Sequence, residues 1–139
     1  MNRITVSSWL RWALATDAVF SASAGLALAV FSTPLAELFQ LPAAWLLGIG
    51  LFCLAYSALV GLAARRSSLS VWIPWTIAIG NALWALDSVF LIALDWLQPS
   101  QVGSAFVLTQ AAIVFALAEW QYIGLRRSLS LAQPSLVEA

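Results

Sequence analysis

Four stretches of this chain, 9–31, 43–64, 71–97 and 102–125, are each long and apolar enough to cross a bilayer. A spanning helix needs about 20 largely apolar residues. Little sequence remains outside them: three short connections, a short N-terminus and a tail at 128–139. The predicted fold is therefore all-α, an integral membrane four-helix bundle occupying 1–127 as one transmembrane domain. Pro42 stands just before the second stretch, where a proline near a helix start is tolerated. The third stretch is long, and Val71–Thr76, with Pro74, reads as an interfacial lead-in. Membrane strands are a poor alternative, because they alternate over about 10 residues. These runs are continuously apolar and rich in Ala and Leu, which favour helix.

Composition closes off the other classes. The chain is 63% hydrophobic and 9% charged, against about 25% charged in soluble domains. It has too few charges to coat a soluble surface and too much apolar sequence to stay disordered. Histidine is absent, which removes the commonest general acid–base and the commonest zinc ligand. A single cysteine, Cys53, excludes an intramolecular disulfide and any thiolate cluster. Neither a metal nor a cofactor is expected. Six basic and six acidic residues balance, all six basic ones being arginine. With no basic tract, nucleic acid is not an expected partner.

The arginines set the orientation. Arg3 and Arg11 open helix 1, Arg65 and Arg66 end helix 2, and Arg126 and Arg127 end helix 4. An even number of crossings separates them, so all six fall on one side. The other two loops, Ser32–Leu41 and Asp95–Gln101, carry Glu37 and Asp95 and no arginine. The positive-inside rule then places both termini in the cytoplasm. Trp9, Trp12, Trp72, Trp75 and Trp120 lie toward the arginine end and Trp45 and Trp96 toward the other, as in an aromatic belt. Trp84 belongs inside. Arg3 and Arg11 before an apolar run, with Ala22-Ser23-Ala24 beyond, also resemble a signal peptide. Asp17 in the middle of that run argues for an uncleaved first helix instead.

Two segments resemble each other: Ala15-Thr16-Asp17-Ala18-Val19-Phe20 and Ala85-Leu86-Asp87-Ser88-Val89-Phe90. Each lies in the first helix of a hairpin that ends in Arg-Arg-Ser. This pattern is compatible with two parallel helical-hairpin repeats about an axis along the membrane normal, and equally with chance among Ala, Val and Phe.

Polar residues within the spans are the candidate site. A charged Asp at a helix centre is disfavoured by about 2.5–3.5 kcal/mol on insertion scales, so it faces the bundle, finds a partner or is protonated. Asp17, Asp87, Gln110, Glu119, Asn81 and Trp84 form the candidate intramembrane polar site. Asp87 is the central member, expected to be protonated and bonded to Gln110, Asn81 or the Trp84 indole. Glu119 is expected to pair with Arg11 or Arg126. Such a cluster either handles a proton, cation or substrate or merely joins helices by hydrogen bonds. The small residues Ser21, Gly25 and Ala29 follow Asp17 at helical spacing, opposite Gly50, Cys53, Ser57 and Gly61 on helix 2. Close packing is expected there. Phosphate loops, nucleophile elbows and metal-spaced clusters are missing.

The stretches Asn81-Ala82-Leu83-Trp84, Asp87-Ser88, Gly103 to Ala111 and Ala118 to Arg127 resemble an uncharacterised family of small bacterial inner-membrane proteins with four transmembrane helices. The resemblance spans nearly the whole chain. It implies the topology and a bacterial cytoplasmic membrane, and brings no activity with it. Similarity to small multidrug-resistance transporters is one of size only, since helix 1 carries Asp17 and no glutamate. The expected function is a non-catalytic accessory or interaction module. A small transporter or ligand-binding protein using the carboxylates, and a membrane enzyme acting on a lipid-like substrate, are the alternatives. The lipid bilayer is the expected partner, and a homo-oligomer or a larger membrane complex is compatible with this reading.

Overall fold

A computed structural model describes residues 3–132 of the chain. The order of elements is β1 (Arg3–Thr5), α1 (Ser8–Val30), α2 (Ser32–Phe39), α3 (Ala43–Ala64), β2 (Ser68–Ser70), α4 (Trp72–Ala93) and α5 (Gln101–Ala132). The fold is all-α, with four helices long and apolar enough to cross a membrane. Their outer surfaces suit lipid rather than water. Val19, Leu59 and Leu83 are each at least 60% exposed, an arrangement that a soluble monomer avoids. By these features the chain is a multi-pass membrane protein.

Local sequence explains the ends. The Ser7 hydroxyl caps α1 by accepting from the Leu10 amide at 3.2 Å. Gln40 stops α2 in the left-handed conformation, φ 55°. Asp95 adopts the same conformation after α4, which ends at Ala93 rather than continuing to 97. At the other extreme α5 runs on to Ala132, so the first part of the expected tail is helix. Residues 133–139 of that tail lie outside the described residues.

Two elements are not in the sequence reading. The loop expected at Ser32–Leu41 is largely the short helix α2. Its Phe39 is buried against Leu28 and Leu46 and stacks on Phe106, centroids 4.9 Å apart. The second is a small antiparallel ladder that pairs Arg3 with Ser70, Ile4 with Leu69 and Thr5 with Ser68. It closes the arginine end over a core of Leu10, Leu14, Val60 and Leu125.

Helix α1 is central: it packs on α3 and on α5, and α5 in turn packs on α4. The backbones of α3 and α4 stay apart and are bridged by side chains, including a Phe52–Trp84 ring stack at 5.9 Å. The α1–α3 contact is as close as its small residues predict, and it centres on Gly25 and Gly50. A Cβ on Gly25 would lie 2.8 Å from the Gly50 carbonyl oxygen. Gly61 takes part less closely, since its Cβ would meet only Ala18 at 3.7 Å. Gly124 lets α5 approach α1 in the same way, because a Cβ there would lie 2.7 Å from the Leu10 Cα.

Candidate functional site

Asp17 is the centre of the polar site. It is 1% exposed although it lies on a helix with few polar neighbours, because the other three long helices each turn a polar side chain toward it. Its Oδ2 accepts from Tyr56 Oη of α3 at 2.9 Å, from Asn81 Nδ2 of α4 at 2.8 Å and from Gln121 Nε2 of α5 at 2.6 Å. Its Oδ1 accepts from Ser21 Oγ, one turn along α1, at 3.1 Å. The partners are also joined to each other. Asn81 Nδ2 donates to Gln121 Oε1 at 3.1 Å, and Tyr56 Oη lies 2.9 Å from Asn81 Oδ1. Tyr56 has one hydroxyl hydrogen, so it donates to one of its two acceptors at a time. Each of the four long helices therefore contributes to a single buried network. Chemically, the cluster presents three hydrogen-bond donors from three other helices to one carboxylate oxygen. Shared hydrogen bonds among buried groups also fix the angular setting of each helix.

Similar separations along the chain recur among these groups. Asn81 follows Asp17 by 64 residues, Gln121 follows Tyr56 by 65, and Ser68 of β2 follows Arg3 of β1 by 65. The sequence likeness had matched Asp17 with Asp87. In space it is Asn81, and not Asp87, that meets Asp17.

Asp87 is not part of the site. It is exposed on the outer face of α4 and takes part in no side-chain hydrogen bond among the described residues. Its expected partners are otherwise engaged. The Trp84 indole donates to Gln110 Oε1 at 3.1 Å, and Gln110 Nε2 donates to Ser88 Oγ at 3.0 Å. These three form a second, smaller polar contact between α4 and α5. The reason is angular: Asn81, Ala85 and Ser88 form the buried face of α4, and Asp87 projects from the opposite side.

The ion pair expected among Arg11, Glu119 and Arg126 is not formed among the described residues. Arg11 instead donates from Nη1 to the Ala64 carbonyl at 2.9 Å, capping the end of α3. Glu119 and Arg126 are exposed on α5. Arg127 lies over the Trp9 ring, 4.4 Å from its centroid.

Tyr56, Gln121 and Ser21 were missed as members of the site. Gln121 is two residues from Glu119, nearly opposite it on the helix, so a face drawn through Glu119 excludes it. A signal was available for Tyr56: a phenol deep in an apolar run needs a partner for its hydroxyl.

Two cavities open near the bundle surface. One, of about 530 Å³, is lined by Trp9, Phe115, Ala116, Glu119, Trp120 and Ile123. The other, of about 230 Å³, lies between α4 and α5 beside Leu86, Leu108 and Phe115. Asp17 lines neither. The described residues contain no group of three or more ligating side chains suited to a metal ion. Comparison with protein-family models, with characterised proteins and with solved structures gives no match.

Proposed function

We propose that this chain is a non-catalytic accessory or interaction module of a bacterial cytoplasmic membrane, with both termini in the cytoplasm. The observation that carries the reading is the closed state of Asp17, the one buried carboxylate among the described residues. Asp17 is 1% exposed, and both of its oxygens are occupied by donors from the bundle. A transport site needs an aqueous path, since intramembrane carboxylates that move ions face a water-filled cavity. Asp17 instead has the environment of a structural pin. The arginine distribution supports the orientation, and the resemblance to small bacterial inner-membrane proteins supports the compartment.

Purified protein in sealed vesicles with an entrapped pH-sensitive dye tests the reading. Under an imposed pH or potassium gradient, the dye response is expected to equal that of protein-free vesicles. A faster response that Asp17→Asn abolishes would make the protein a transporter and overturn the module reading.

Orientation is tested separately in a Cys53→Ser background. Gln98 lies in the α4–α5 connection and Ser67 beside β2, and both are exposed. In intact cells an impermeant thiol reagent is expected to label Gln98→Cys and to leave Ser67→Cys untouched. The reverse pattern would invert the topology.

A further inference from the structure

The outward face of α4 carries a polar group that the fold leaves without a partner. This helix buries Pro74, Ala78, Asn81, Ala85 and Ser88. Its opposite face exposes Thr76, Gly80, Leu83, Asp87 and Phe90. Thr76 satisfies its hydroxyl internally, donating to the Trp72 carbonyl at 2.8 Å. Asp87 has no such outlet.

Its depth makes this consequential. Asp87 stands six residues before Ala93, the end of α4, or about 9 Å at 1.5 Å per residue. Its neighbour Ser88 is bonded to Gln110, nine residues into α5 and so about 13 Å from the start of that helix. Asp87 thus lies in the outer half of a hydrocarbon layer about 30 Å thick. Its single methylene cannot reach the interface as a lysine or arginine stem can. A charge-bearing side chain at that depth ordinarily faces protein or a water-filled cavity.

Charge complementarity identifies what covers it. All six basic residues of the chain are arginines at the opposite end of the bundle. The start of α4, on that side, is fifteen residues from Asp87, about 22 Å away. A second copy in the same orientation would bring only its own Asp87, and no basic side chain, to this level. The complementary group therefore comes from another protein. Gly80, seven residues nearer the arginine end on the same face, has nothing within 4 Å of where a Cβ would stand. Such a flat place lets a second helix backbone approach closely.

We propose that the outward face of α4 docks a transmembrane helix of a different protein, one that crosses near Gly80 and presents a lysine or arginine to Asp87. The proposal rests on the module reading and names its partner by chemistry.

The test uses the full chain in phosphatidylcholine vesicles and a synthetic leucine–alanine transmembrane peptide. One version carries a single lysine at the depth of Asp87 and the other a leucine, with association read by energy transfer between labels. The lysine peptide is expected to bind about five- to thirtyfold more tightly than the leucine peptide, the range for one interhelical polar contact. Asp87→Asn is expected to remove that preference, and Asp87→Lys to shift it to a glutamate peptide. Asp87 lies off the packed face, so the variants are expected to keep the wild-type thermal midpoint. Equal binding of the two peptides, or a preference that survives Asp87→Asn, would overturn the proposal. So would self-association of the chain that depends on Asp87, which would assign the face to a second copy. The flux measurement contains no peptide, so failure here and failure of the module reading are separate results.

Discussion

Asp17→Leu is expected to destabilise the bundle in detergent by about 2–4 kcal/mol. Four side-chain hydrogen bonds end on the Asp17 carboxylate, and interhelical bonds in membrane proteins average about 0.6 kcal/mol each. Three of the four are interhelical, and their sum, about 2 kcal/mol, sets the lower bound. The upper one reflects donors left unpaired in a buried site, each at about 1–3 kcal/mol before the helices relax. Asp17→Asn should lose much less. Its amide oxygen can take the place of Oδ2 and keep three donors, while its amide nitrogen donates to Ser21. Asp87→Leu removes no hydrogen bond and is expected to leave the thermal midpoint unchanged. Thermal unfolding of the three variants, followed by circular dichroism, gives the ranking directly. Equal midpoints for Asp17→Leu and Asp87→Leu would mean that the network contributes nothing to stability.

The second large effect is steric. Gly50→Ala places a methyl 2.7 Å from the Ala29 amide nitrogen and 2.8 Å from the Gly25 carbonyl oxygen. Both are backbone atoms, which no rotamer change can move aside, so α1 and α3 must separate along their tightest contact. A loss of about 1–3 kcal/mol is expected, the usual range for overpacking, and Gly25→Ala should behave alike. Gly48 is the internal control: it lies on the same helix, and a Cβ there meets nothing within 4 Å. Gly48→Ala is expected to be neutral or stabilising by up to about 1 kcal/mol, the helix-propensity difference between the two residues. A destabilisation of similar size at Gly48 and Gly50 would show that helix packing at this glycine pair is not what the substitutions report.

The candidate site shows where sequence reasoning reaches and where it stops. Asp17 and Asn81 stood out as polar groups within apolar runs, and the small-residue face of α1 pointed to close packing with α3. Both inferences need only helical periodicity and the aversion of lipid to charge. On sequence Asp87 is the stronger candidate, because it stands nearest the middle of its span and so deepest in the bilayer. It faces outward because Asn81, Ala85 and Ser88 meet α5 instead. Nothing local to α4 decides which of its sides meets α5, since polar groups lie on more than one face. Tyr56 and Gln121 were hidden for a related reason: each stands within two residues of one with a plainer role, Ser57 in the small-residue stripe and Glu119 with its charge.

By itself, the sequence determined the class, the number of long helices and which of their ends share a side. These depend on sums along the chain, namely hydropathy over about 20 residues and the placement of arginines between crossings. The tertiary structure alone decided the rotation of each helix about its axis, and with it which carboxylate is buried. Rotation depends on how four surfaces fit at once, at contacts such as Gly25–Gly50 and Gly124–Leu10. It also depends on donors more than 60 residues away in sequence, such as Asn81 and Gln121, converging on one oxygen. No single segment contains that information, because each helix is oriented by its neighbours.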